Sequence, residues 1–512
     1  MAVGLFWIYK MFETKQKDVK SLLVLSSAIV SSLLISAIQL VPTYYFYKIS
    51  PISLPFSREV FDRAILPYKN LITFLASDFY GHPANNNFWS QSYGDFTPYI
   101  GVIPLIFTLW AIIKLWKLPF VKLATFISLF FILAAVHGPI TLFIKTFKIP
   151  LIDATTPARF ISISIFFMVL LAGLGIEDLL KNFNNKKYLK KFLVFLGALS
   201  SLYIAMWAFA ILGSQFLEPK EAWQIKLAVT RRNLILPTAM FLSIPLGILI
   251  SLYLPKAIKI DNYKKLFLAG VFFATLVGGV YFTNKFLPVA PKNFIFPEHI
   301  IFSWLKENAG INRFYGGGTA HIDFNFPTHY EIYGSEGYDT LRVERYAQLL
   351  ASGANGSVPK TYLRSDGVFP SEENGYRKRL FDLLGVKYLL DKEDNPKTGA
   401  DWHYERFPND KVKGIWQEGK FQIYQRETTI PRLFLSFNYQ KASDEQIIKN
   451  IYDENFDLKT IMIEEKPPLP IGNNNKDIEI PQLQKYEPGS VEVKTSSNEN
   501  AILFLSDVFD PD

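Results

Sequence analysis

The 512-residue chain carries 54 Lys and Arg against 46 Asp and Glu, a net charge of +8, with 49% hydrophobic and 16% aromatic side chains. It has no cysteine, which excludes disulfides, thiolate catalysis and cysteine-bound zinc. The excess base lies in short lysine-rich loops rather than in a basic stripe interleaved with aromatics, so no nucleic-acid partner is expected.

Met1–Tyr9 is apolar without a basic lead or a small-residue cleavage site, and reads as the second half of a membrane helix whose start is missing. Seven long stretches without Asp, Glu, Lys or Arg follow: Leu22–Val41, Phe96–Ile113, Leu123–Ile144, Phe160–Ile176, Phe192–Leu217, Leu234–Leu254 and Leu266–Asn284. An apolar run of about 20 residues crosses a ~30 Å hydrocarbon core as a helix, so each is an expected span. Gly138-Pro139 is expected to stop the third of them near His137, leaving a short interfacial stretch.

Lysines gather in alternate loops: Lys10–Lys20, Lys114–Lys122, Lys181–Lys191 and Lys256–Lys265. These read as cytoplasmic by the positive-inside rule, which puts the chain from Pro288 onward on the extracytoplasmic side. Glu218–Arg232 departs from the pattern, with Lys220, Lys226, Arg231 and Arg232 on the expected outer side. No Asp, Glu, Lys or Arg stands mid-span, which counts against ion-coupled transport.

The outer loop from Pro42 to Thr97 carries the first candidate chemistry. Leu66–Ala76 reads as a short interfacial helix, and Ser77–Pro83, Asn85–Ser90 and Tyr93–Asp95 mix aromatic with polar residues. Such a mixture serves an interfacial belt or a lipid or sugar site. Asp78 and Asp95 are positional candidates for a general base or for holding a divalent metal beside a departing phosphate, with His82 a candidate substrate contact. By residue type the ordinary reading of each is a solvated loop residue. Arg159 closes Asp153-Ala-Thr-Thr-Pro-Ala-Arg159 just before a span, where a guanidinium binds a lipid phosphate in bidentate fashion or anchors the helix at the interface.

Beyond Pro288 the pattern mixes periods. Glu298–Glu307 and Asp444–Tyr452 have helical spacing; Val386–Leu390, Phe421–Tyr424, Arg432–Ser436 and Thr460–Ile463 read as strands. Short β runs at Ile478–Ile480, Val491–Lys494 and Ala501–Leu505 suggest the opening strands of a sandwich after the loop Lys466–Pro470 and Gly472–Asn475. The chain stops directly after the last run, at Phe509–Asp512, so this end too reads as cut. Gly316-Gly-Gly318 lacks the Lys-Ser/Thr of a phosphate loop and reads as a turn after a strand. His321 and His329 lack the spacing of metal ligands on one helix face. The expected order is a transmembrane helical domain over 1–287, an extracytoplasmic α+β domain over 288–465 and a partial β-sandwich over 466–512.

Several segments, in order, resemble one family over nearly the whole chain. They are Tyr93-Gly-Asp-Phe-Thr-Pro-Tyr-Ile-Gly101, Pro150–Phe160, Leu171–Asp178, Tyr333–Asp339, Arg345-Tyr346, Leu383–Leu390 and Pro431–Phe434. This order is similar to the YfhO family of bacterial membrane proteins. The resemblance implies a GT-C-like helical domain, placement in the bacterial plasma membrane, and a glycosyltransferase. Such an enzyme takes a sugar from a polyprenyl-phosphate carrier and attaches it to a cell-envelope glycan on the outer face. It also implies that the family's catalytic acid lies in an earlier loop, so Asp78 and Asp95 stand on position alone and transfer by this chain by itself is in question. The rival readings are a non-catalytic envelope protein whose outer domain binds glycan or a partner and, third, a transporter.

Overall fold

The computed structural model describes residues 19–50, 61–90, 92–147, 155–258, 263–287, 289–339, 342–359, 366–370, 374–393, 412–471, 477–487 and 489–508. Met1–Tyr9, Asp153, Gly472–Asn475 and the last residues Phe509–Asp512 lie outside them. The chain divides into two compact units, one of 58–290 with the start of the chain through Ile35, the other of 291–512 with 36–57.

Eight helices of nine residues or more are described up to residue 287: α1 Val19–Ile49, α2 Val102–Lys114, α3 Pro119–Ala135, α4 Pro139–Phe147, α5 Ile161–Lys181, α6 Lys186–Leu212, α7 Lys220–Ile258 and α8 Tyr263–Phe286. Among the described residues, five segments are long and apolar enough to cross a membrane: Leu23–Ile49, Pro157–Lys181, Lys186–Gln215, Lys220–Leu252 and Lys264–Lys285. They mark a membrane-associated protein. Many of their large side chains face outward, among them Phe166, Ile204, Phe272 and Phe273, as suits lipid contact.

Two of the seven expected spans are shorter than expected. Past Phe96 no helix forms over Thr97–Ile100, and Gly101 takes a φ of +97°, so α2 starts only at Val102. Its 13 residues make about 20 Å of helix. The run from Leu123 breaks after Ala135, and Pro139 opens α4, with Thr141 Oγ1 accepting the Gly138 N–H at 2.9 Å. α4 buries Thr141 and Ile144 while exposing Leu142, Phe143 and Phe147.

α2, α3 and α5 pack through small and hydroxyl residues. Gly175 lies where a Cβ would collide with the Phe107 carbonyl. Thr108 Oγ1 donates to Met168 O at 2.6 Å, and Ser164 Oγ donates to Ser128 O at 2.8 Å. Without a hydrophobic gain between helices in lipid, close backbone approach and such bonds carry the association. The expected interfacial helix at Leu66–Ala76 is instead a 3-10 turn, Tyr68–Phe74, folded into the core: Leu66 and Ala76 are fully buried, and Asn70 Nδ2 donates to Phe96 O at 3.0 Å.

The second unit contains strands and short helices. Its main sheet has the order β2-β1-β5-β7-β6, where β1 is Arg313–Gly316, β2 Tyr333–Gly334, β5 Val386–Lys392, β6 Val412–Glu418 and β7 Phe421–Arg426. β1 is parallel to β2 and β5; β7 is antiparallel to β5 and β6. Short pairs join β3 Gly337–Tyr338 to β4 Asp366–Gly367, and β9 Tyr439–Lys441 to β10 Ile461–Ile463. α9 Ile300–Asn308 and α10 Asp444–Ile451 match the expected helices, the latter opened by a capping box of Ser443 and Gln446.

The three runs expected to begin a sandwich separate. Glu479 makes only a bridge to Leu435. β11 Gln482–Glu487 and β12 Ser490–Lys494 form a hairpin. β13 Ile502–Leu505 pairs antiparallel with β8 Leu433–Ser436, and Ile502 and Phe504 pack on the Phe434 core, so strand pairing crosses the boundary expected at 466. A clasp of two buried arginines on a more open aspartate completes the joint: Arg313 and Arg432 both reach Asp507 Oδ1, at 3.2 and 2.6 Å. Arg313 also donates to Ser506 Oγ at 2.8 Å, and Tyr486 OH donates to Asp507 Oδ2 at 2.6 Å.

Candidate functional site

The stretch after the 3-10 turn folds back on itself. Gly81, at φ +89°, lies close against the Asn87 carbonyl, and the His82 N–H donates to Asn87 Oδ1 at 2.9 Å. Two residues of α7 fasten it: Thr230 Oγ1 donates to Phe79 O at 2.8 Å, and Asn233 Nδ2 donates to Asp78 O at 2.8 Å. This leaves the Asp78 carboxylate, 8% exposed, facing the last turn of α8. Its Oδ2 accepts from Lys285 Nζ at 2.5 Å and its Oδ1 from Tyr93 OH at 2.6 Å.

Ala84 N–H donates to His82 Nδ1 at 3.1 Å, so in the neutral ring the proton sits on Nε2. Burial pushes the His82 pKa down, Asp78 opposes and Lys285 reinforces. The ring packs edge-on against Tyr93 at 4.4 Å. Burial, then the bond to Asp78, holds the Tyr93 hydroxyl far above its ordinary value, so it stays a donor. His82 Nε2, Trp89 Nε1 and Ser90 Oγ are buried without a hydrogen-bond partner among the described residues. Donors in that state are costly until something accepts from them.

Beside Asp78 and Lys285 opens a cavity of about 490 Å³, lined also by Asn85, Asn87, Tyr99, Arg232 and Tyr281. Arg232 makes no ion pair among the described residues, whereas Lys285 is held by Asp78. Tyr99, Gly278 and Phe282 also line a groove of about 180 Å³ between α2 and α8, walled by Ile100, Ile103, Met240 and Gly279. The two cavities thus lie on either side of the same three residues, one with charged groups on its wall and the other walled mainly by apolar ones.

Of the four expected site residues, Asp78 and His82 come together here. Asp95 and Arg159 pair with each other: Arg159 Nε donates to Asp95 Oδ1 at 2.9 Å, with 70% of the arginine side chain exposed. Asp95 borders a separate basin of about 740 Å³ with Asp62, Lys69 and His137. Lys285, Asn233, Tyr93 and Tyr99 were not singled out from the sequence. The legible signal was Glu218–Arg232, whose positive charge breaks the lysine pattern. Arg232 lines the cavity, and Lys226 lies over the Trp223 ring at 5.0 Å. Among the described residues no three His, Asp or Glu side chains converge to hold a metal ion. No family model, curated protein or solved structure matches this chain.

Proposed function

We propose that the first unit binds a polyprenyl-phosphate-linked sugar and transfers the sugar to a cell-envelope glycan. In this reading the protein is GT-C-like, sits in the bacterial plasma membrane, and carries its second unit on the outer face. The observation that carries it is a pair of neighbouring cavities that share Tyr99, Gly278 and Phe282: one has Arg232 and Lys285 on its wall, and the other is walled mainly by apolar residues. An amphiphile with a phosphate head and a hydrocarbon tail matches both halves. Tyr99, Asn85 and Asn87 offer hydrogen bonds to sugar hydroxyls.

In the transfer step the bond from the sugar's anomeric carbon to the phosphate oxygen breaks, and the phosphate leaves with the electron pair. The acceptor oxygen bonds to that carbon and yields its proton to a base. Arg232 and Lys285 stabilise the departing phosphate, and Asp78 takes the proton. As Lys285 turns to the phosphate, it frees Asp78 Oδ2 to accept. Arg159 and Asp95 stand apart from this cavity and serve the lipid surface or the acceptor.

A second reading is favoured by one observation: both Asp78 oxygens are already engaged, by Tyr93 and Lys285. On that reading the pair is a lock, and the protein binds envelope glycan or carrier lipid without catalysis. The full chain in proteoliposomes, given a polyprenyl-phosphate sugar and an envelope glycan, separates the two. Transfer that is lost in Asp78→Asn supports the enzyme. Carrier-dependent thermal stabilisation without transfer supports the binding protein. Neither transfer nor stabilisation overturns the carrier reading.

A further inference from the structure

Immediately beyond α8 the chain exposes several large apolar side chains in a short stretch. Leu287 is 60% exposed, Val289 94%, Phe294 66% and Ile295 54%. Large apolar side chains left this open, several in so short a stretch, are kept out of water when the protein is in its working place. We propose that the turn at 292–296 is a membrane-interface anchor, seated at the boundary of phospholipid headgroups and acyl chains. It is independent of whether the cavity near Asp78 is catalytic.

The turn is built, not frayed. Phe294 N–H donates to Pro291 O at 2.9 Å and Ile295 N–H to Lys292 O at 3.2 Å, so these two amides keep their partners when water is withdrawn. Its far side is fixed within the second unit. Phe296 stacks on His329 with centroids 3.7 Å apart and packs on Phe326 at 5.7 Å, while Tyr330 OH donates to Pro297 O at 2.8 Å. The base of the turn is held while Phe294 and Ile295 project from it.

Three features choose a lipid surface over a protein partner. Phe294 stands eight residues beyond Phe286, which limits it to about 28 Å from the end of α8. That helix shows lipid-type side chains, Phe272, Phe273 and Val280, on its outer surface, so a bilayer that receives it is within reach of the turn. Lys292 heads the turn, where a cation meets anionic headgroups while the aromatic rings enter the interface.

The chain has no cysteine, so single cysteines report cleanly. Full-length Phe294→Cys and Ile295→Cys variants, labelled with an environment-sensitive dye, go into phosphatidylcholine–phosphatidylglycerol vesicles. Some of the phosphatidylcholine carries a nitroxide near the glycerol. Phe272→Cys marks lipid exposure, and Ile480→Cys, at a site 63% exposed in the second unit, marks water. The expected result is nitroxide quenching at 294 and 295 comparable to that at 272, with shielding from aqueous iodide. Quenching by iodide alone, as at 480, overturns the anchor. So does a dye signal that depends on protein-to-lipid ratio but not on the nitroxide, which assigns the patch to a second copy of the chain.

Discussion

Two aspartates stand at the two ends of α2 and make the same kind of bond with different consequences. Asp178, near the end of α5, accepts from the Tyr188 hydroxyl and from Trp110 Nε1, the latter at 3.1 Å. Trp110 packs with Phe192 at 4.8 Å and Phe195 at 5.3 Å, and Lys114 Nζ lies 4.9 Å over its ring. Asp78 also accepts from a tyrosine, but its other oxygen holds a lysine, and beside it lies a cavity with Arg232 on its wall. A carboxylate–phenol pair is therefore a clamp by default. Open volume and a direct lysine contact set the Asp78 clamp apart.

The sharpest way to break that contrast is to neutralise each carboxylate in turn. Asp78→Asn should lower sugar transfer by about 10²–10⁴-fold, the ordinary loss for a positioned base. Asp178→Asn should leave turnover per folded molecule unchanged while lowering the thermal midpoint. Equal losses of turnover in both variants would erase the distinction.

Next in size is the ion pair itself. Asp78→Leu strands a mostly buried ammonium and should destabilise the solubilised protein by about 3–5 kcal/mol. The double variant Asp78→Leu with Lys285→Met should recover most of that loss, because both desolvated charges are gone. Differential scanning fluorimetry of the four proteins in the cycle measures the coupling. Additive losses would show that the two groups do not depend on each other.

Arg232→Gln should weaken carrier-lipid binding by about 10–100-fold, the worth of one hydrogen bond to a charged group. Its effect on the thermal midpoint should be slight, since the guanidinium makes no ion pair among the described residues. Titration with a polyprenyl phosphate reads it directly. Arg159→Ala, which removes an exposed pair, should cost at most about 1 kcal/mol and change carrier affinity less than Arg232→Gln. A larger effect at 159 would move the phosphate site to the Asp95 basin.

The smallest expected effect is on pH. With the His82 pKa lowered by burial, the unfolded chain takes up protons that the folded one refuses. Stability tied to that ring is complete above the unfolded value of about 6.5 and falls as pH drops through it toward the folded value. His299 adds to the same trend, its pKa lowered by burial and then by Lys392. His82→Asn keeps an acceptor for Ala84 N–H and should make the midpoint less sensitive between pH 7 and 5. An unaltered slope would remove His82 as a contributor.

The apolar runs made the membrane helices legible, because length and absence of charge are properties of a segment alone. Where the count differs, the reason is local: Gly101 delays α2, and the Val136–Gly138 break divides the run that begins at Leu123. Asp78 and His82 were legible as polar groups between spans. The partnership of Asp78 with Lys285 and Asn233 was not, because it joins residues 207 and 155 positions apart. Likewise β13 read as a strand, but only the fold shows that it completes β8.

The clasp at Asp507 has a mechanical consequence. β13 lies antiparallel to β8, and its last pair, Leu505 with Leu433, is the first that a pull from the C-terminal direction would peel apart. Asp507 stands just beyond that pair, gripped by Arg313 and Arg432, with Ser506 held by Arg313 as well. Tension drawn through whatever follows Asp507 is thus borne first by two buried guanidiniums, and the strand behind them stays unloaded until they let go.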